Sequence, residues 1–530
     1  MKSAPSPASA RRWRPAITAV ALCTAAAFAF AAPADRLQKP DHTRLPTLGD
    51  TARQDLSPVL ERKLGEIIMR DIRRDHDYLD DDVIVEYLNN FGGALVASVP
   101  GARGETNADF SFFAVRDPNL NAFALPGGFI AAHTGLLVAA QTESELAGVI
   151  SHEIGHVSQR HIARGLGQQK QDALLPLAAM ILAALAAKSS PDAAMGVMMG
   201  GQGLALQRQL NYGRDAEREA DRVGFQIMAA GGYDTTGMVA FFKRLQSATR
   251  VYGEIPAHLA NLSSHPLTAE RITDMQARIR EIPKKPRVDN LDFQLVRARA
   301  RVLQDESVNG RRDTRIAFET QLKEQHRQLQ AGAQYGLAVL ALRQGKVAEA
   351  QDWLDKARAT VKPKEGVLSS ESNAGDGAKL FTGLSIEIKL APGQPPAMAQ
   401  QAVQEADAAR QRYPLSRALA NQYGEALIAA GRFDEATRYL RDQAQLYREE
   451  PKLHDVLAKA YAKQGKIALQ HMALAESYVV AGALPAAVAQ LELARKAGDV
   501  SFYDQAVIDA RERELKAQQK AEKDQLKDFE

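Results

Sequence analysis

His152, Glu153 and His156 stand in the pattern His-Glu-Ile-Gly-His, and on a helix residues four apart lie about 40° apart around the axis. The two imidazoles therefore point the same way and can grip one ion, with Glu153 projecting beside them. A hydrolytic zinc site of this kind takes three protein ligands and leaves a position for water, whose pKa the metal lowers toward neutrality. Glu153 would then accept a proton as that water attacks a peptide carbonyl, and pass it to the leaving amine. A five-residue motif occurs by chance. Here it sits on an apolar-striped helix opened by a capping box, Thr142 with Glu145 three residues on.

A third ligand must come from elsewhere. His161 follows His156 by five residues, and on an unbroken helix it lies about 180° around the axis from His152, facing away from the metal. It reads as structural. The segment Glu217-Arg218-Glu219-Ala220-Asp221 falls on a second helix, Asp215 to Ala230, and puts Glu217 and Asp221 on one face. Glu217 is the better candidate ligand, and Asp221 can accept a hydrogen bond from a ligand histidine and fix its tautomer. Arg218 and Glu219 read as solvated charges. Two nitrogens and one oxygen favour zinc, one ion per chain, over its neighbours in the series.

The elements around these residues follow from periodicity. Val59 to Arg73 and Val83 to Asn90 read as helices, and Asp80, Asp81 and Asp82 as a solvated helix start rather than a metal site. From Asp109 the pattern turns strand-like, with apolar runs Phe110–Val115, Asn121–Leu125 and Phe129–Ala132 separated by Asp117-Pro118-Asn119 and Pro126-Gly127-Gly128. This predicts a small antiparallel sheet immediately before the motif helix, which runs toward Gly165. The apolar stretch Ala173 to Ala187, about fifteen residues with Pro176 inside it, is too short to span a bilayer, and a Gly- and Met-rich segment, Ala193 to Leu206, follows it. They read equally as a lid or hairpin facing lipid or substrate and as buried core, so peripheral membrane contact stays open. A Pro- and Lys-rich piece, Ile282 to Arg287, reads as a linker.

The HEIGH segment, the Glu217-x-x-x-Asp221 segment and Asn121-Ala122-Phe123-Ala124-Leu125-Pro126-Gly127-Gly128 together resemble the HtpX/CAAX-prenyl-protease family of zinc metallopeptidases. The helical repeats downstream make the resemblance strongest to its periplasmic, repeat-bearing branch. It covers about residues 45 to 280 well and the second half loosely. The resemblance implies a gluzincin site of His152, His156 and Glu217 with Glu153 as general base. It also implies that Ala122, Phe123, Ala124 and Leu125 form an edge strand to which an extended substrate adds. His265, in Ser264-His265-Pro266-Leu267, matches a position near the active site in this branch and is a candidate regulatory fourth ligand that would occlude the metal. Arg271 matches a family position with no role assigned by the sequence.

Beyond the linker the pattern is helical and repetitive. Four segments align on Gly345, Gly431, Gly465 and Gly482, and Gly431 and Gly465 are 34 apart, the period of tetratricopeptide repeats. Tyr461 and Tyr478 before the turns and Ala350 and Ala436 after them fit that repeat. A Gly/Ser/Pro-rich interruption, Val361 to Pro396, breaks the series, and Arg511 to Glu530 reads as a charged, solvated helix. The expected fold is thus mainly α: an α+β zincin-like metallopeptidase domain over residues 45–282, then an α-helical tetratricopeptide-repeat solenoid over 290–515.

The bulk numbers suit an exported protein of 530 residues. Arg11, Arg12 and Arg14 precede an apolar run from Ala16 to Ala32 that ends in Ala27-Phe28-Ala29 and Ala32-Pro33-Ala34. This reads as a cleaved signal peptide over residues 1–34, with an uncleaved anchor as the alternative. Its removal takes four basic and no acidic side chains, moving the formal net charge from +3 to −1, and removes Cys23, the one cysteine. No nucleic-acid footprint is left, and a thiol-free chain suits a periplasm. The function expected is a periplasmic zinc endopeptidase cleaving misfolded or stalled proteins. By the resemblance, its partners would be outer-membrane proteins and their assembly machinery, recruited by the repeats. The rival is an assembly chaperone whose metal site is latent or structural.

Overall fold

The computed structural model describes residues 56–172, 213–252, 265, 268–281, 287–362, 377–448 and 450–526, all within one compact unit, His42–Glu530. The expected signal peptide, the 173–187 and 193–206 segments and all but the last residue of the 282–287 linker lie outside the described residues. No described helix is long and apolar enough to cross a membrane.

Helix α1 (Pro58–Arg74) starts where Ser57 Oγ accepts from the Leu60 N–H, with proline in its first turn, where no N–H is needed. Helix α2 (Asp82–Ala97) is capped by Asp81, which accepts from the Ile84 N–H at 3.1 Å. It runs past the expected stop at Asn90. The reason is that Gly92 is a packing residue: a Cβ there would come within 2.4 Å of the Phe112 ring. Phe91, Leu95 and Val96 continue the buried stripe.

Three strands follow, β1 (Ser111–Val115), β2 (Ala122–Leu125) and β3 (Phe129–His133), in the order β1-β3-β2. The sheet is mixed, which corrects the expectation of an antiparallel one: β1 pairs with β3 in parallel and only β2 is antiparallel to it. Strand β3 is buried at all five positions and so takes a partner on each side. Inserting it between β1 and β2 reverses the sense expected of β1 had consecutive strands simply been neighbours. The β2–β3 turn holds Gly127 and Gly128 at φ +77° and +94°, the left-handed region that glycine enters without steric cost. Strand β2 is left at an edge.

Helix α3 (Thr134–Ala139) leads into the motif helix α4 (Glu143–Ser158), where Thr142 Oγ1 accepts from the Glu145 N–H at 3.1 Å. The helix does not continue to Gly165. It stops at Gln159 and Arg160, with Arg160 at φ +53°, and α5 (His161–Asp172) starts afresh. Helix α6 (residues 213–230), α7 (Thr236–Tyr252) and α8 (Ala269–Glu281) complete this part, with α7 packed on α4 and α8 on α7.

The remainder is helical: α9 (Leu291–Gln304), α10 (Val308–Gln321), α11 (Arg327–Arg343), α12 (Val347–Val361), α13 (Ala378–Lys389), α14 (Pro396–Arg412), α15 (Arg417–Ala429), α16 (Phe433–Leu446), α17 (Pro451–Lys463), α18 (Ile467–Val480), α19 (Leu484–Lys496) and α20 (Phe502–Leu526). Consecutive helices pack as neighbours, most extensively α11 on α12, α18 on α19 and α17 on α18. The four aligned glycines all end helices at φ 71° to 74°, each followed by a residue whose N–H reaches back five positions, as from Lys346 to the Ala341 carbonyl at 2.9 Å. Gly465 and Gly482 bound the same helix, α18, so these two sit at successive turns rather than at equivalent points of successive pairs. The interruption contains α13, whose Leu380, Phe381, Leu384 and Ile388 are buried; its flanking Gly and Pro residues hid a short amphipathic helix. The tail helix α20 is not solvated all round, since Ile508 and Leu515 are fully buried.

One hydrophobic core runs from Leu79 on into the first repeat-half helices as far as Ile388. The Asp80–Asp82 cluster starts α2 as expected, with Asp80 exposed, but its other two members are engaged at this junction. Asp81 pairs with buried Arg299 of α9, and Asp82 with Lys452 of α17 at 2.9 Å.

Candidate metal centre

The site is built by close helix packing that glycine permits. A Cβ on Gly155 would stand 2.9 Å from the Ala220 carbonyl oxygen, and one on Gly224 2.8 Å from the His152 nitrogen, so α4 and α6 touch backbone to backbone. That contact lays Glu217 and Asp221 over the two motif histidines.

The resulting distances are those of a ligand set. His152 Nε2 and His156 Nε2 are 3.0 Å apart, and each is 3.4 Å from an oxygen of Glu217. A tetrahedral ion held at about 2.0–2.1 Å requires ligand atoms roughly 3.3 Å apart, so the triangle matches a zinc-sized cation. His265 joins them, its Nδ1 2.7 Å from Glu217 Oε1, and one ligand atom from each of the four residues lies within 4.8 Å of the others. Beside them Glu153 is 1% exposed, and its Oε1 has no hydrogen-bond partner among the described residues. A buried carboxylate oxygen left in that condition is costly unless a cation or reacting group faces it. The donor set therefore fits a divalent metal on the geometry of this structure.

The surrounding charges favour positive charge at this point. Burial works against it, but hydrogen bonds to Asp221 and Glu217 raise the His152 pKa to about 10. Burial lowers His156 to about 3. Glu217 is held well below the usual carboxylate range: its bonds to His152, His156 and His265 outweigh the effect of burial. Burial pushes the Glu153 carboxyl up, the direction that suits a general base working near neutrality.

A ring of outer partners fixes the ligands. Asp221 Oδ1 lies 2.9 Å from His152 Nδ1, as the spacing on α6 suggested. Arg271 on α8, left without a role by the sequence, grips Asp221 through two nitrogens and reaches Glu217 Oε2 at 2.8 Å. The Phe242 ring of α7 stands edge-on to His152, centroids 6.3 Å apart. His161 departs from its expected position. The break at Arg160 turns it back, so that its Nδ1 is 2.9 Å from His156 Nδ1 and its Nε2 3.1 Å from Glu219 Oε2. Glu219 is 8% exposed rather than solvated and also accepts from Arg164. A left-handed arginine gives no signal in sequence, and without it the helical wheel points His161 away.

Strand β2 meets the site from the other side. Ala122, Phe123, Ala124 and Leu125 form the edge strand, and Glu153 makes a backbone hydrogen bond at Ala124. The His133 N–H donates to the Asn121 carbonyl at 3.0 Å. By the alternation of an antiparallel pair, Phe123 then bonds into β3, while the N–H and C=O of Ala122 and Ala124 face the open edge.

Residues 95–279 match Peptidase family M48. The chain is 30% identical to the beta-barrel assembly-enhancing protease of Escherichia coli (strain K12) over 470 residues, covering 88% of this chain and 90% of that one. It is 29% identical to the protein of the same name in Yersinia pestis over 473 residues, 89% and 91% of the two chains. A putative beta-barrel assembly-enhancing protease of Vibrio cholerae is 39% identical over 259 residues, 49% of this chain and about half, 52%, of that one.

Proposed function

The chain belongs to peptidase family M48 and is a metalloendopeptidase, and from that premise we propose that His152, His156 and Glu217 hold one zinc ion and that Glu153 is the general base. The observation that carries this reading is the triangle of two Nε2 atoms and the Glu217 carboxylate, 3.0 to 3.4 Å on its edges, beside a buried Glu153. Bound zinc supplies a Lewis acid that makes water a nucleophile at neutral pH. The residues of the chain do the rest. Glu153 takes the proton of the attacking water and returns it to the leaving nitrogen, so that one bond is cleaved with no net proton change. Asp221 and Arg271 keep His152 turned with Nε2 toward the ion. An extended peptide adds to the open edge of β2 through Ala122 and Ala124, which carries its backbone past Glu153.

His265 would serve as a fourth ligand that closes the site in a resting form; the grouping of one ligand atom each from His152, His156, Glu217 and His265 within 4.8 Å of one another supports this role. The relatives' names point to β-barrel assembly. We place this chain there too, as an exported, periplasmic quality-control protease for misfolded or stalled outer-membrane proteins. The paired helices, with Schellman-type turns at Gly345, Gly431, Gly465 and Gly482, are read as tetratricopeptide-like repeats that recruit those substrates and their assembly machinery.

The test is the full-length E153Q variant assayed against casein and against an unfolded outer-membrane protein. Hydrolysis falls at least about 100-fold, while zinc content and substrate capture remain. Cleavage at the parent rate removes Glu153 from the reaction, and loss of capture without loss of casein hydrolysis separates recruitment from chemistry.

A further inference from the structure

Each metal-facing imidazole has a carboxylate behind it, but the two are linked differently. For His152 the link is direct, Nδ1 to Asp221 at 2.9 Å. For His156 it passes through a second imidazole: His156 Nδ1 to His161 Nδ1 at 2.9 Å, His161 Nε2 to Glu219 Oε2 at 3.1 Å, and Arg164 Nη1 to that same oxygen at 2.9 Å. His161 and Glu219 are 6% and 8% exposed, and the two rings meet nearly edge to face at 77°.

Two Nδ1 atoms this close form a hydrogen bond only if one carries a proton and the other a lone pair. His156 needs its Nε2 lone pair for the ion, so its proton sits on Nδ1 and it donates. His161 accepts at Nδ1, therefore carries its own proton on Nε2, and donates to Glu219. With His156 Nε2 given to the ion, these two contacts assign both tautomers. Arg164 keeps Glu219 an ionised acceptor at the far end.

The backbone makes this relay possible. A continuous helix would carry position 161 to the opposite side of α4. Arg160 instead adopts φ +53°, and its own buried side chain anchors the break by donating to Glu61 at 3.0 Å and to the Leu56 carbonyl.

We propose that His161 and Glu219 are positioning residues for His156, a relay that fixes its tautomer and ring orientation and thereby sets the affinity of the site for its metal. The proposal rests on the reading of His156 as a ligand. Partners of this kind raise metal affinity about 10- to 100-fold.

The experiment measures the zinc dissociation constant of full-length H161F, H161N, E219Q and H156A by chelator competition, with the unfolding midpoint of each metal-free protein alongside. H161F fills the space without an acceptor, and it is expected to bind zinc about 10- to 100-fold more weakly. H161N keeps an acceptor near the Nδ1 position and recovers most of the loss. E219Q, which keeps shape, shifts affinity in the same direction as H161F and serves where H161F folds poorly. Parent-like zinc affinity in E219Q together with either parent-like affinity in H161F or no gain from H161N overturns the relay. A change confined to the metal-free midpoint assigns these residues to structure alone and overturns it as well. H156A decides the underlying reading: if it too binds zinc like the parent, the ligand assignment falls, whereas if only H156A loses zinc, the relay alone is wrong.

Discussion

Arg271 and Asp221 form a two-point ion pair, Nε to Oδ2 at 2.6 Å and Nη2 to Oδ1 at 2.7 Å, with each side chain 3% exposed. The third guanidinium nitrogen reaches Glu217 Oε2 at 2.8 Å, so one residue of α8 ties both site carboxylates of α6. The planar fork of arginine makes this geometry, and a lysine cannot.

Removing that fork leaves two buried carboxylates short of a partner. R271A is therefore expected to lose about 3–5 kcal/mol of unfolding free energy, with R271K regaining only part of it. Denaturant titration of the metal-free protein checks this, and a loss of under about 1 kcal/mol would show that the pair contributes no more than an exposed one.

Metal removal should act on activity and stability together. Stripping the protein with a chelator abolishes hydrolysis and lowers the unfolding midpoint, since an ion bound only by the folded state stabilises it by mass action. Added zinc restores both in the parent chain and neither in H156A. Full hydrolysis after metal analysis reads zero would contradict the assignment.

The two faces of β2 give opposite outcomes to proline. Phe123 uses its N–H inside the sheet, so F123P breaks the ladder and lowers stability, on the order of 3 kcal/mol. Ala124 turns its N–H to the open edge and to Glu153. A124P therefore keeps the sheet ladder, so it lowers the unfolding midpoint less than F123P does, and it lowers kcat/KM for an unfolded protein by about tenfold or more, because both an edge bond and the bond to Glu153 are lost. Equal effects of the two prolines would count against strand addition.

Acid should loosen the junction between the halves at Asp81. Burial alone would raise this carboxyl, but the Arg299 guanidinium and the Ile84 N–H hold it below the usual carboxylate range. A depressed folded-state pKa contributes stability that is complete above the unfolded value, about 3.9, and is lost as pH falls through the folded one. D81N is then less stable than the parent at pH 7, and the gap closes as the pH drops below about 4. A gap independent of pH would assign the loss to shape rather than charge.

Much of this was legible in the residues themselves. The four-residue spacing of His152 and His156, with Glu153 between them, fixes one face of a helix whatever surrounds it. The same local rule puts Glu217 and Asp221 together, because i and i+4 neighbours are set by backbone geometry alone. Turn glycines and the three apolar runs located the strands, although not their order: the complete burial of β3 is a demand of the tertiary core, and it decided that β1 pairs in parallel.

What lay beyond the sequence were relations that depend on where one element meets another. Arg160 breaks α4 and returns His161 to His156 because Glu61 and the Leu56 carbonyl hold its side chain, and nothing local marks an arginine for the left-handed region. Glu219 and Asp81 read as solvated charges in the chain, yet Glu219 is buried and Asp81 pairs with buried Arg299, while Arg271, given no role by the sequence, is buried against Asp221. The physical reason is the same in each case: local pattern determines which residues share a face, while desolvation and pairing are settled only when two faces meet.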